Sequence, residues 1–348
     1  MATGYELWQE PVVGGIADPA IFNLSGLDQI RSWDDGLIPV PPFARLTGLR
    51  IAGAGEGTSS FTMPAHGWLV NPTGAYSIGV LAVFADPPLG CAIQTTLPPA
   101  TPYTTAEMSI TALRPVRPTD GVLVGNGTVI HAGGRMALSE VSIVDGTGRL
   151  LAHGTCRCMT LPRLEPLPPV EGLQPVVEPD DAGDPWRRPV AGAPVPQEVW
   201  DAEDGLTVCR QLIEGQLPRP PISHLTGLVL TEATPGETTF ALPATGWLAS
   251  PSGNVEGGMV ALVADAALQT AILTVAPAGC AVASVDLKVN FLRPCPPDGR
   301  DLIARGKVVH QGRSIVIAEA EVLNGDGKRV AVATGSALLQ PGRPAALD

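Results

Sequence analysis

The sequence predicts an α+β protein in which two copies of one unit follow each other, each an antiparallel sheet wrapped around a long central helix. Three observations predict this class: an internal repeat at constant offset, one long apolar helical segment per copy, and a series of strand signals behind it. The repeat is read directly. Leu46-Thr47-Gly48-Leu49 returns as Leu225-Thr226-Gly227-Leu228, and Gly67-Trp68-Leu69 as Gly246-Trp247-Leu248. Ala85-Asp86 returns as Ala264-Asp265, and Leu113-Arg114-Pro115 as Leu292-Arg293-Pro294. All four pairs stand 179 residues apart, Leu46 from Leu225 as Asp86 from Asp265. The register runs on to His131 and His310, where the Gly134-Arg135 and Gly312-Arg313 pairs indicate a slip of one residue.

Each copy reads the same way. A short amphipathic helix (Leu27–Trp33; Leu206–Glu214) leads through a Pro-Pro turn to a strand at Leu46 or Leu225. A strand of alternating apolar positions follows (Ser59–Met63; Thr238–Leu242), then a Gly/Pro/Asn loop and an apolar helix (Tyr76–Asp86; Val255–Thr274). Pro87 and Pro88 predict a kink or an end of the first of these helices at Asp86, because each removes a helical N–H. Asp265, Gln269, Pro277 and Gly279 mark the apolar stretch from Met259 to Val275 as a buried helix rather than a membrane span. Three strands come next: Ala106–Leu113 with Val285–Leu292, Gly121–Ile130 with Asp301–Val309, and Ala137–Val144 with Val316–Leu323. Asp145-Gly146-Thr147-Gly148 and Asn324-Gly325-Asp326-Gly327 are hairpin turns before a last strand. A central helix that is apolar nearly all round fits enclosure by the sheet.

The expected organisation is an N-terminal unit over residues 1–160, a Pro-rich linker over 161–197 and a C-terminal unit over 198–348. The 348 residues suffice for two cores. A formal net charge of −12 argues against nucleic acid as a partner. The 45% hydrophobic and 16% charged content excludes a disordered chain. The start carries Glu6 and Glu10 and lacks a secretory pattern, so a cytoplasmic protein without a membrane partner is expected. Six scattered cysteines, with Cys156 and Cys158 forming no second pair, read as reduced thiols rather than a metal site.

The stretch Asn254-Val255-Glu256-Gly257-Gly258 through Ala264-Asp265-Ala266, then Ala283-Ser284-Val285-Asp286 and Phe291-Leu292-Arg293-Pro294, resembles the hotdog fold, specifically the PaaI-like acyl-CoA thioesterases. The resemblance covers about residues 26–160 and 205–340. It implies hydrolysis of an acyl-CoA thioester without a cofactor. It also implies that helix-start N–H groups at Gly79 and Gly257 polarise the thioester carbonyl, that Asp86 and Asp265 serve as nucleophile or general base, and that an amide before the helix and a strand hydroxyl position the reacting groups. The amide position falls on Asn71 in the first copy and on Ser250 in the second; the hydroxyls are Thr105 and Ser284. Where the family has His-Gly-Gly, this chain has Ser77-Ile78-Gly79 and Glu256-Gly257-Gly258, with no His in either.

Helix geometry adds a constraint. Gly257 and Asp265 are eight residues apart, about 12 Å along a helix, so neither acid can serve its own helix start. Two antiparallel helices at a pseudo-two-fold junction solve this, each start facing the other copy's acid. Two mixed sites are therefore expected. One joins Asn71, Ser77 and Gly79 to Asp265 and Ser284; the other joins Ser250 and Gly257 to Asp86 and Thr105, with Gly258 as a further substrate contact. The first is favoured for its amide and its uninterrupted helix, with Ile78 as the residue that could crowd it. Arg114 and Arg293 at strand ends are candidates for CoA phosphate contacts or plain surface cations. Asn71 in Asn-Pro-Thr-Gly is equally a turn residue, and Glu107 and Asp286 read as solvent-facing. A non-catalytic acyl-CoA-binding or scaffold protein is the alternative function, and further homo-oligomerisation stays open.

Overall fold

The computed structural model describes residues 5–167, 176 and 181–346. In the first unit the elements are α1 (Gly26–Asp34), α2 (Pro42–Thr47), β1 (Arg50–Gly55), β2 (Thr58–Pro64), α3 (Ile78–Gln94), β3 (Tyr103–Ala112), β4 (Val122–Ala132), β5 (Met136–Val144) and β6 (Leu150–Thr160). The second unit opens with α4 (Gln197–Ala202) and repeats the series. It contains α5 (Gly205–Ile213), α6 (Pro221–Thr226), β7 (Val229–Thr234), β8 (Glu237–Pro243), α7 (Gly257–Leu273), β9 (Cys280–Phe291), β10 (Asp301–Gln311), β11 (Ile315–Leu323) and β12 (Arg329–Pro341).

Local chemistry sets the short elements. Ser25 accepts a hydrogen bond from the N–H of Asp28 and caps α1, and Asp204 does the same for α5 through Thr207. The strand expected at Leu46 and Leu225 begins later, because both residues lie in one-turn helices. Prolines at the first positions start α2 and α6, and Gly48 and Gly227, with φ of 76° and 82°, end them in the left-handed region.

Twelve strands form one continuous sheet in the order β1-β2-β4-β5-β6-β3-β9-β12-β11-β10-β8-β7, all neighbours antiparallel. The order is palindromic about the β3–β9 pair, where Met108 faces Val289 and Ile110 faces Leu287. This seam joins the two units. Glu107 is buried there against Arg157 Nε at 2.8 Å rather than facing solvent. The repeat does not slip at the β4–β5 turn: Met136 pairs with Met159 as Ile315 pairs with Leu338, both 179 residues on.

Helices α3 and α7 pack on each other inside the curved sheet. The prolines do not end α3, which continues through Pro87 and Pro88 to Gln94. Every residue from Ile78 to Ile93 is buried. Enclosing Val80, Leu81, Val83, Phe84, Leu89 and Ile93, at about 1.5–3 kcal/mol each, outweighs the ~3 kcal/mol or more that a mid-helix proline costs. Ser59 Oγ also donates to the Pro88 carbonyl at 2.7 Å, as Thr238 Oγ1 donates to Ala267 in α7. Among the described residues no helix is long and apolar enough to cross a membrane, and all six cysteines are unpaired and buried.

The arms preceding the units cross over. The indole of Trp8 lies over Gly227, and Trp247 Nε1 donates to the Glu10 carbonyl, so the N-terminal arm packs on the second unit. Within the stretch read as linker, Trp186 lies over Gly48 and Trp68 Nε1 donates to the Arg188 carbonyl, so this segment packs on the first unit. The two arms are themselves repeats: Glu6, Trp8 and Val12 match Asp184, Trp186 and Val190 at an offset of 178. Each is fixed by charge. Asp184 accepts from Arg45 and Arg50 at 2.9 Å, and Glu6 meets Arg219 at 2.7 Å and His224 at 3.0 Å.

Candidate active site

The start of α3 and the middle of α7 touch. Ser77 Oγ caps α3 through the N–H of Val80, and the N–H of Gly79 donates to Asp265 Oδ2 at 2.8 Å. The approach is too close for a side chain at Gly79: a Cβ there would stand 2.8 Å from Leu262 Cα. The pseudo-symmetric contact has the N–H of Gly258 donating to Asp86 Oδ2 at 2.9 Å, with the position of a Gly258 Cβ 2.5 Å from Val83 Cα. Each acid thus reaches across to the other unit's helix start, where unpaired N–H groups and the helix dipole favour negative charge. The donor in the second contact is Gly258. Gly257 faces the same carboxylate through its Cα, with a Cβ position 2.6 Å from Asp86 Oδ2.

The two contacts differ chemically. Asp265 is fully buried, and burial raises its carboxyl from 3.8 to about 6, while the Gly79 N–H, Ser77 and Gln269 work in the opposite direction. Its Oδ1 is buried without a hydrogen-bond partner. Burial also raises Asp86, opposed by Glu256, the Gly258 N–H and Thr105, whose Oγ1 lies 3.5 Å from Asp86 Oδ1. Glu256, buried beside it, is pushed well above the usual carboxylate range by burial and by the Asp86 charge. The pair therefore shares a proton, held on Glu256 because Asp86 already has N–H and O–H donors. Cys158 Sγ sits 3.8 Å from Thr105 and 3.6 Å from Cys156 Sγ, so thiols flank this second contact.

The remaining candidates are placed less centrally. Asn71 Oδ1 accepts from the N–H and the hydroxyl of Thr73, at 2.9 and 2.8 Å, an Asx turn within its own loop. Ser250 occupies the same loop position in the second unit, with its hydroxyl 2.9 Å from that of Ser252. Ser284 is half-buried on β9 at the bulge where the register shifts between Ser336 and Ala337, and no hydrogen bond links it to Asp265. Arg114 and Arg293 are exposed and donate to the carbonyls of Leu150 and Arg329 on the neighbouring strands. Ile78 is buried at the N-terminus of α3, where the second unit has Gly257.

Two residues at these contacts, neither among the expected site residues, carry a signal in the sequence. Glu256 is an acid at a helix start where the family has His, and Gln269 is a polar residue in a largely apolar helix.

Comparison with known proteins agrees with this duplication. The model of the thioesterase superfamily matches twice, over residues 74–152 and 252–331, so each match holds one helix acid. A protein of Halobacterium salinarum named as an esterase is 30% identical over 148 residues, which is 39% of this chain and 93% of that protein. A hot dog protein of unknown function from Alicyclobacillus acidocaldarius superposes with a TM-score of 0.52 at 13% identity, over 86% of this chain and 98% of that one. The acyl-CoA thioesterase II TesB2 of Mycobacterium marinum gives 0.51 at 13% identity over the same shares. A structure from Novosphingobium aromaticivorans described as a thioesterase gives 0.52 at 19% identity, over 83% and 98%. At these identities the superpositions speak for the fold, and they extend over both halves of the chain. The chain belongs to the thioesterase superfamily, as two hotdog units fused in one polypeptide.

Proposed function

We propose that the protein hydrolyses acyl-CoA thioesters to the free acid and CoA at the junction of its two units, with Asp265 as the activating carboxylate. The observation that carries this reading is Asp265 itself: a fully buried carboxylate anchored by one oxygen to the Gly79 N–H, with the other oxygen unpaired. Burying such a group without a task is costly. In the reaction the acyl carbonyl oxygen takes over the Gly79 N–H, where the helix start stabilises the developing oxyanion. Asp265 removes a proton from water as the water oxygen bonds to the acyl carbon. The C–S bond then breaks, and the thiolate leaves with that proton. Asn71 and Ser284 flank the bound thioester, and the exposed guanidinium groups of Arg114 and Arg293 suit contact with CoA phosphates.

Release of CoA from short, medium, long and aromatic acyl-CoAs tests the proposal. The expected result is turnover by the wild type and its loss in Asp265→Asn; no turnover across the panel, or equal rates in the variant, overturns it. A second reading, an acyl-CoA-binding protein without turnover, is favoured by one observation: the Gly79 N–H is already engaged by Asp265. Thermal stabilisation by CoA ligands without hydrolysis would select it.

A further inference from the structure

We infer that Gln269, one helical turn beyond Asp265 on α7, is a positioning residue that holds the attacking water against Asp265. The inference rests on the reading of Asp265 as the activating carboxylate and adds the group that aims its water. Asp265 Oδ1 and both polar atoms of the Gln269 side chain, Oε1 and Nε2, are buried, and none has a hydrogen-bond partner. Residues four apart on a helix present their side chains to the same surface, so these orphaned atoms share one place. A buried polar atom left unmatched loses its hydration without compensation, and folded proteins keep few of them. Three in one turn mark a position built for a small polar molecule. The amide lies near enough to Asp265 to favour its ionised form, yet outside direct hydrogen-bond geometry.

The chemistry of the three atoms fits water. Water donates one proton to Asp265 Oδ1 and the other to Gln269 Oε1, which leaves a lone pair for the acyl carbon. When Asp265 takes its proton, Gln269 keeps the second and fixes the direction of attack. The neutral amide exchanges no proton, so the balance of the hydrolysis is unchanged.

The other half of the molecule lacks this device. The residue matching Gln269 is Gly90, and the hydroxyl of Tyr103 sits 2.9 Å from the position of a Gly90 Cβ. Space for the amide comes from β12: Gly335, whose Cβ position is 3.6 Å from Gln269 Nε2, stands where the first unit has Cys156. Only the acid of the second unit has an amide one turn beyond it on its own helix.

The test compares wild type, Gln269→Met and Asp265→Asn on the acyl-CoA that the wild type turns over fastest, with Tm recorded for each. Gln269→Met keeps the length of the side chain and removes its polar atoms. The expected result is a fall in kcat of about 100-fold, as for a misplaced reacting group, with KM within about twofold and Tm unchanged or higher, because orphaned polar atoms have been removed. The acid limb of the pH–rate profile moves to higher pH, because the amide no longer favours ionised Asp265. A purely structural glutamine would instead lower Tm and leave kcat per folded molecule intact, which overturns the inference. Wild-type kcat in Gln269→Met beside an inactive Asp265→Asn overturns it while leaving the hydrolase reading standing; an inactive wild type removes both. Gln269→Gly, which installs the residue of the first unit, is read in the same way if the Met variant does not fold.

Discussion

Asp86 of the first unit and Glu256 of the second form a buried carboxyl pair across the junction, with Asp86 anchored on the Gly258 N–H and the shared proton on Glu256. The pair has a direct consequence for stability. The carboxyl of Glu256 lies well above its ordinary value of 4.5 in the folded protein, so the folded state binds this proton more tightly than the unfolded chain does. The resulting contribution is complete below about 4.5 and is lost as pH rises through the folded value.

Glu256→Gln, which keeps a neutral hydrogen-bonding side chain at every pH, should therefore lose less Tm than the wild type between pH 5 and pH 9. A gap of at least about 2 °C opening toward high pH is expected, on the scale of 2–4 °C per kcal/mol for a domain of this size. Parallel Tm–pH curves for the two proteins would show that Glu256 is not the proton carrier.

Asp265 sets the second prediction. A carboxylate that activates water must be ionised, and burial places its carboxyl at about 6. The kcat/KM of the free enzyme should then fall about tenfold per pH unit below 6 and level off above it. Its raised value also means that the ionised form costs stability above pH 6. Asp265→Asn, inactive, should be at least as stable as the wild type at pH 8. A profile flat down to pH 4.5 would separate Asp265 from catalysis.

The crossed arms give a third. The Asp184 side chain is 2% exposed and pairs with both Arg45 and Arg50, so removing the carboxylate takes two charge-assisted hydrogen bonds out of a buried contact. Asp184→Ala should cost about 1.5–3 kcal/mol, read from denaturant unfolding. The matching contact in the other arm, Glu6 with Arg219, is 17% and 40% exposed and screened by solvent. Glu6→Ala should cost under about 1 kcal/mol. Equal losses would mean that burial does not distinguish the two arms.

How much of this could be read in the chain follows from the range of each interaction. The repeat, the central helices and the meander rest on local periodicity, so the start of α3, both ends of α7 and those of β2 to β5 fall within a few residues of the expected ones. The crossing of Asp265 to Gly79 also follows from sequence, because an eight-residue helical separation excludes the local pairing. The fate of Pro87 and Pro88 does not. Their local rule predicts a break, and only burial by the surrounding sheet, which the local rule leaves out, reverses it. The same holds for Glu256: in sequence it only stands where the family has His, and its pairing with Asp86 depends on the fold that brings the two units together. The arms lie outside the main register, because Trp8 and Trp186 stand 178 residues apart whereas the rest of the repeat is offset by 179.

The last prediction concerns the inequality of the two contacts. Asp265 has an unpaired oxygen and Gln269 beside it, whereas Asp86 has both oxygens engaged, by Gly258 and by Thr105, with the protonated Glu256 against it. An oxygen already receiving a hydroxyl proton is poorly placed to receive one from water. Single substitutions should therefore divide: Asp265→Asn removes most of kcat/KM, and Asp86→Asn changes it by less than about threefold at equal folded fraction, although it disturbs the carboxyl pair and lowers Tm. Asn71→Ala separates two roles for the loop amide, because a turn residue lowers Tm while a substrate contact raises KM or lowers kcat. Measuring kcat/KM and Tm for the three variants together decides the matter. A large loss at Asp86 with little at Asp265 would exchange the working site for its pseudo-symmetric partner, and equal losses would mean that both helix starts turn over substrate.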